Sequence, residues 1–102
     1  MTKRKLDIQL SATAREDFVA ILRYTLDSWG EAQMLRYRDQ LNSVISSLSE
    51  NPELGRLRPE LEKQYRSIAA GSHLIVYQAN SETLNIVRIL HSRMDPAKQL
   101  SD

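Results

Sequence analysis

The chain contains no cysteine and only two histidines in 102 residues. Without thiols it can form no disulfide framework, no thiol nucleophile and no cysteine-based zinc site. Two histidines alone make a poor metal site. We therefore expect the protein to hold no metal and no cofactor.

The chain also lacks a strong charge imbalance and a long apolar run. Fourteen basic and thirteen acidic residues leave a formal net charge of +1, which is too small to indicate nucleic-acid binding by bulk charge. The basic N-terminus is not followed by the apolar run of a signal peptide, and no segment is long enough to cross a bilayer. We expect a cytoplasmic protein with no membrane association and no sequence-specific nucleic-acid binding.

The composition is that of an ordinary globular protein, with 41% apolar and 26% charged residues. The length suits a single core, and the sequence shows no internal repeat and no linker. We expect one domain over residues 1–102.

The segment 71–95 organises the predicted fold. Two β-branched runs, 73–78 and 84–91, are joined by residues 80–83, whose small polar side chains favour a reversal of the backbone. Successive residues are apolar in both runs, and strands of this kind are usually covered on both faces. The segment therefore predicts a β-hairpin that is buried on both sides.

The first predicted element is a short strand, because apolar and polar residues alternate from Leu6 to Leu10. Either of two residues can cap the helix that follows. Ser11 comes directly after the strand, and Thr13 opens a capping box that ends at Glu16. The two cannot both be the cap.

Two apolar stripes at three- and four-residue spacing predict two helices. The stripes are Ala14, Phe18, Ile21, Leu22, Thr25 and Trp29, and then Met34, Tyr37, Leu41, Val44, Ile45 and Leu48. Gly30 suits the end of the first helix, and Pro52 ends the second. The short link forces an antiparallel helical hairpin. We expect Trp29, the last residue of its stripe, to be buried at the helix junction.

The remaining segments complete an α+β pattern. Residues 51–63 form an irregular surface connection with two prolines, and residues 64–69 read as a short strand before the hairpin. The order is β-α-α-β-β-β: an N-terminal strand, an antiparallel helical hairpin and a three-stranded antiparallel meander. Because helices and strands do not alternate, we expect the helices to pack on one face of the sheet.

The strands carry a set of basic and histidine side chains that could form a catalytic or a binding site. These residues are Arg66, His73, Arg88, His91 and Arg93. Such a set could hold a phosphodiester and move protons, as a ribonuclease does, or it could only dock a protein. Arg88 lies between Val87 and Ile89. Either it is structural, paired with a carboxylate or reaching solvent along one sheet face, or it is part of a binding face. Spacing alone does not choose between these alternatives.

Four short motifs in this order resemble a ParE toxin of the RelE/ParE superfamily. They are Trp29-Gly30-Glu31-Ala32, Asn51-Pro52-Glu53-Leu54-Gly55-Arg56, Gly71-Ser72-His73 and the segment 87–95, VRILHSRMD. The resemblance covers nearly the whole chain and implies two helices packed on an antiparallel sheet. It also implies the toxin of a type II toxin–antitoxin system that poisons DNA gyrase and is neutralised by a ParD-like antitoxin.

The other branch of this superfamily, the RelE-like branch, consists of ribosome-dependent messenger-RNA nucleases. That branch has basic residues on the first strands of the meander and after the last strand, often with a tyrosine near the C-terminus. The matching places here hold Gln64 and Arg66, then His73, then Arg93, and no tyrosine near Gln99. We therefore expect a gyrase-directed toxin without catalytic residues. The alternatives are an RNase that uses His73 or His91, and a degenerate toxin that only binds its antitoxin.

Two sets of candidate site residues follow from this interpretation. The gyrase-facing set is Arg88, His91, Arg93, Asp95, Arg66 and His73. The antitoxin-binding set is Tyr24, Leu26 and Leu35, which lie off the helical stripes. These three residues are equally well explained as scattered surface hydrophobes.

Overall fold

A computed structural model, which describes residues 5–61 and 63–100, shows a five-stranded sheet with a helical hairpin on one face. The elements are β1 (Asp7–Leu10), α1 (Ala12–Trp29), α2 (Glu31–Glu50), a 3₁₀ turn (Pro52–Leu54), β2 (Arg56–Leu57), β3 (Arg66–Ala70), β4 (His73–Ala79), β5 (Thr83–His91) and α3 (Pro96–Leu100). The predicted α+β class and element order are confirmed.

The sheet is mixed rather than wholly antiparallel. Its strand order is β1-β5-β4-β3-β2, and β1 pairs with β5 in parallel while the other neighbours are antiparallel. The two-residue strand β2 was not predicted, since it falls in the segment interpreted as irregular.

Ser11 is the cap of α1. Its side-chain oxygen accepts a hydrogen bond from the backbone N–H of Ala14 at 2.9 Å and donates one to the carbonyl of Val87 at 2.8 Å. The same hydroxyl therefore starts the helix and ties it to β5. At the other end of α1, Gly30 has a φ of 91°, a backbone conformation that favours glycine, and α2 begins at the next residue.

Apolar side chains cover both faces of the central strands, as predicted. On the helical face, Leu41, Ile45 and Leu48 of α2 pack with Ile75 and Tyr77 of β4. On the opposite face, a smaller cluster joins three buried residues to Ala97 and Leu100 of α3, and these three are Leu61, Val76 and Leu90. Each fully buried side chain of this size contributes about 1.5–3 kcal/mol.

Tyr77 explains one of the four sequence motifs. Its hydroxyl accepts a hydrogen bond from the backbone N–H of Gly55 at 2.8 Å and donates one to the carbonyl of Pro52 at 2.6 Å. A Cβ atom at Gly55 would collide with the Tyr77 ring. The segment after α2 is therefore fixed to the sheet, and glycine is required there by close packing.

Candidate functional site

An open groove lies where α1 and α2 pass over the ends of β4 and β5. Its volume is about 530 Å³, and α1, α2, β4 and β5 all contribute to its lining. Its lining includes five aromatic or imidazole side chains, those of Tyr24, Trp29, Tyr37, His73 and His91. The groove thus combines exposed aromatic rings with two imidazoles.

The Tyr37 hydroxyl contacts two neighbouring residues at the base of the groove, Ser72 and His73. It accepts a hydrogen bond from the backbone N–H of Ser72 at 3.0 Å and lies 2.5 Å from Nδ1 of His73. Gly71 has a φ of 58°, and a Cβ atom there would lie only 2.6 Å from the Tyr37 ring. Glycine at position 71 is therefore required by the contact between α2 and the turn before β4.

His73 and His91 face each other across the pairing of β4 and β5. The two residues are register partners, and their rings meet edge to face with centroids 5.5 Å apart. Nδ1 of His91 accepts a hydrogen bond from the backbone N–H of Arg93 at 3.1 Å. The proton of the neutral His91 ring is therefore on Nε2, which makes this ring a hydrogen-bond donor.

His73 is held in its neutral form. Burial lowers its pKa below the ordinary value of 6.5, and the neighbouring His91 lowers that pKa further while Asp17 opposes the shift. Burial also raises the pKa of Tyr37, so its hydroxyl stays protonated and can donate a hydrogen bond to Nδ1 of His73. His73 is therefore uncharged at neutral pH, and the Tyr37–His73 pair can offer hydrogen bonds to a partner.

We predict that acidification destabilises the fold through His73. The unfolded chain takes up a proton on this residue as the pH falls through 6.5, whereas the folded chain resists it. The unfolded state then binds more protons, so the free energy of unfolding decreases as the pH falls. Urea unfolding at about pH 7.5 and pH 5.5 measures this loss.

The matched variant is His73→Asn, because its amide oxygen still accepts a hydrogen bond from Tyr37 and does not titrate. It should lose less stability than the wild type over the same pH interval. Equal losses in the two proteins would show that His73 does not contribute to the pH dependence.

Arg88 is paired within the fold. Its Nε and Nη2 atoms donate to the carboxylate of Asp17 at 2.8 and 3.2 Å, and the backbone N–H of Ile89 donates to the same carboxylate at 3.0 Å. The hydrogen bond to Asp17 raises the pKa of Arg88. Of the two interpretations of Arg88, the carboxylate pair is confirmed, and this guanidinium ties β5 to α1.

The other gyrase-facing candidates occupy different places. Asp95 caps α3, since its side chain accepts a hydrogen bond from the N–H of Ala97 at 3.0 Å. Arg66 donates to the carbonyl of Gly55 at 2.8 Å and lines a separate groove beside β2 and β3. Arg93 is exposed, and no side-chain partner for it exists among residues 5–61 and 63–100. Of these three residues, Arg93 contacts His91 through its backbone N–H.

The antitoxin-binding candidates do not form one patch. Tyr24 is 69% exposed and lines the groove, while Leu26 is 42% exposed and Leu35 is partly buried. Tyr24 and Leu26 are two residues apart, which places them on different sides of α1. That these three residues bind an antitoxin stays a prediction.

The predicted burial of Trp29 is wrong, because its side chain is 72% exposed. The apolar stripe of α1 reaches it, but α1 ends at this residue, and the ring lies at the rim of the groove. Sequence reasoning also assigned Tyr37 only to the core. Its hydroxyl, which needs a polar partner when buried, was the available signal for a second role.

The described part of the chain offers no cluster of three or more metal-ligating residues. Across the same residues, no helix has the length and apolarity needed to cross a bilayer.

Comparison with known proteins assigns the family. Residues 8–96 match the model of the ParE toxin of type II toxin–antitoxin systems, parDE. Toxin ParE1 of Mycobacterium tuberculosis strain H37Rv is 37% identical over 92 residues, which cover 89% of this chain and 94% of that protein. Toxin ParE1 of Caulobacter vibrioides is 32% identical over 92 residues, which cover 90% and 95% of the two chains.

Solved structures agree with the fold. A chain of the chromosomal ParDE TA system from P. aeruginosa superimposes with a TM-score of 0.72 at 16% identity, covering 85% of this chain and 96% of that one. The YoeB dimer from Staphylococcus aureus gives a TM-score of 0.57 at 19% identity, with 86% and 98% coverage. On the family match and the curated relatives, this chain belongs to the ParE toxins of type II toxin–antitoxin systems, within the RelE/ParE superfamily.

Proposed function

We propose that this ParE toxin inhibits DNA gyrase and that a ParD-like antitoxin neutralises it by covering the same groove. The observation that carries the proposal is the exposure of Trp29 and Tyr24 beside His73 and His91. Large aromatic side chains exposed around a groove are typical of protein-binding surfaces, where tryptophan and tyrosine supply much of the affinity.

Arg93 extends this surface with a positive charge. It lies in the turn that follows β5, and its backbone N–H donates a hydrogen bond to Nδ1 of His91. An exposed arginine beside hydrogen-bond donors suits an acidic or carbonyl-rich partner surface. We therefore assign the gyrase-facing role to Trp29, His73, His91 and Arg93, and leave the structurally paired Arg88 outside it.

An antitoxin helix lying in the groove would neutralise the toxin by keeping gyrase away from the residues that line it. Tyr24, a candidate antitoxin contact, lines the same groove as the two histidines. A segment that buries Tyr24 therefore also limits access to His73 and His91. Grooves of this kind bind amphipathic helices whose apolar residues recur every three or four positions. Such a toxin acts in the cytoplasm, where gyrase is found.

We also propose that the protein is not an enzyme. Burial lowers the pKa of His73 below its ordinary value. A histidine with a lowered pKa is uncharged near neutral pH and is therefore a poor proton donor to a leaving group. This observation weighs against the RNase alternative.

We predict that the purified toxin does not cleave messenger RNA on translating ribosomes. Primer extension on ribosome-bound messages is the measurement, and a RelE-like nuclease serves as the positive control. Cleavage at defined codon positions that His91→Ala abolishes would contradict this prediction and support the RNase alternative.

The proposal as a whole is tested by DNA supercoiling with purified gyrase. Added toxin should inhibit supercoiling, and toxin preincubated with its antitoxin should not. Inhibition that persists in the saturated complex would refute neutralisation at the groove, while the absence of any inhibition would refute gyrase as the target.

A further inference from the structure

The turn after β5 is closed by a side chain that can take up a proton. Nδ1 of His91 accepts a hydrogen bond from the backbone N–H of Arg93 at 3.1 Å, two residues further along the chain. Asparagine and aspartate commonly close turns in this way, through an oxygen that remains an acceptor near neutral pH. In a histidine the acceptor is a nitrogen whose protonation state changes in the physiological range.

The neighbouring hydrogen bonds of this turn do not titrate. The N–H of Ser92 donates to the carbonyl of Ser72 at 2.9 Å, and the N–H of Met94 donates to the carbonyl of His91 at 2.9 Å. Of the three consecutive N–H groups of residues 92–94, that of Arg93 has the titratable acceptor. Loss of this bond would release the Arg93 peptide while Ser92 still ties the turn to the start of β4.

A proton on Nδ1 of His91 removes the bond to Arg93. The neutral ring carries its proton on Nε2, whereas the charged ring carries protons on both nitrogens and accepts no hydrogen bond. The new Nδ1–H and the N–H of Arg93 would then point at each other as two donors. Either the imidazole or the Arg93 peptide therefore has to move when His91 is charged.

No carboxylate among the described residues that line the groove offsets a charge on His91. The other titratable groups of the lining are Tyr24 of α1, Tyr37 of α2 and His73 of β4. Asp17 of α1 acts on His73, but its carboxylate is bonded to Arg88 of β5. Past the strand, Arg93 adds a positive charge, and the Asp95 side chain caps α3. A charged His91 therefore lies among neutral and basic groups in the groove, which do not hold it in the closed turn.

We propose that His91 is a pH-sensitive switch on the turn that presents Arg93. The turn is closed while the ring is neutral and opens when Nδ1 takes up a proton. The switch is a property of the free toxin. Its consequence rests on the proposed function: because Arg93 belongs to the partner-facing surface, inhibition of gyrase should weaken as the pH falls.

NMR of the ¹⁵N-labelled full chain between roughly pH 7.5 and pH 5 tests the switch. At the upper pH, a scalar coupling between the Arg93 amide nitrogen and Nδ1 of His91 should report the N–H···N hydrogen bond. The coupling should disappear, and the Arg93 amide signal should move, with the same midpoint as the His91 ring. The amide signals of Ser92 and Met94 should move less, because their acceptors are carbonyl groups.

Two variants isolate the His91 ring. In His91→Asn the Arg93 signal should stay in place, because the amide oxygen accepts the same bond and does not titrate. If this variant does not fold, His91→Asp replaces it, since a carboxylate accepts the same bond and stays ionised above about pH 5. In His73→Asn the His91 ring still titrates, so the Arg93 signal should still move.

The consequence is measured by gyrase supercoiling at about pH 7.5 and pH 6, with gyrase alone as the reference at each pH. Inhibition by the wild type should weaken severalfold more on acidification than inhibition by His91→Asn, each relative to its own value at the higher pH. Equal weakening would overturn the regulatory role.

The switch itself is overturned if the coupling is absent at the upper pH or if the His91 ring stays neutral down to the lower limit. It is also overturned if the Arg93 signal ignores the ring or titrates equally in His91→Asn. A toxin that inhibits gyrase at neither pH would refute the proposed function instead, and the NMR titration would still decide the switch.

Discussion

Asp17→Ala is expected to lower the melting temperature by roughly 10–20 °C, a loss of about 3 kcal/mol. The substitution removes both hydrogen bonds to Arg88 and the acceptor for the backbone N–H of Ile89. Both side chains of the ion pair are mostly buried, with exposed fractions of 20% for Arg88 and 17% for Asp17. The guanidinium would therefore be left in a partly desolvated place without its counter-charge.

Two further variants isolate this effect. Glu16→Ala removes a neighbouring exposed carboxylate that makes no hydrogen bond or ion pair with residues 5–61 or 63–100, and its melting temperature should be nearly unchanged. Asp17→Ala combined with Arg88→Met should be more stable than Asp17→Ala alone, because the unpaired charge is gone. Equal melting temperatures for Asp17→Ala and Glu16→Ala would show that the ion pair does not hold α1 to β5.

Trp29→Ala and Arg93→Ala are expected to remove growth inhibition while leaving the fold intact. Trp29 is 72% exposed and Arg93 has no side-chain partner in the described chain, so each variant should change the stability by less than about 0.5 kcal/mol. A tryptophan that a partner buries completely contributes about 2 kcal/mol or more, which corresponds to roughly thirtyfold in affinity.

Matched controls come from the far edge of the sheet. Leu57→Ala and Arg56→Ala change an exposed apolar and an exposed basic residue of β2, and both should retain growth inhibition. Melting temperature and growth inhibition are measured on all four variants. Retained toxicity in Trp29→Ala and Arg93→Ala, or its loss together with a large drop in melting temperature, would contradict a partner-facing role for these two residues.

The fold was largely predictable because its elements carry local signals. Asn80 shows this at the β4–β5 turn, where its side chain accepts hydrogen bonds from the N–H groups of Glu82 and Thr83 at 2.8 Å each. Ser11 similarly caps α1 at the place where the strand pattern stops. The parallel pairing of β1 with β5 carries no such signal, because it joins residues such as Asp7 and Thr83 that lie far apart in the sequence.

The candidate site was less predictable because it depends on long-range contacts. In the sequence, Arg88 is a charged residue between apolar neighbours. Its partner Asp17 could not be identified there, because it lies 71 residues away. Trp29 continued a core stripe by its spacing, but a periodic pattern does not reveal that the surface under the helix ends before the helix does. Gly55 and Gly71, which carried the family resemblance, are explained by close packing against Tyr77 and Tyr37.

The most direct test of the central claim is DNA cleavage by purified gyrase on supercoiled plasmid, with ATP, followed by detergent and protease treatment. Wild-type toxin should cause linear DNA to accumulate as the toxin concentration rises, and the Trp29→Ala/Arg93→Ala double variant should not. If the wild type leaves the plasmid uncut and supercoiling unaffected, or if the double variant traps cleaved DNA as well as the wild type does, the assignment of a gyrase-directed groove is wrong.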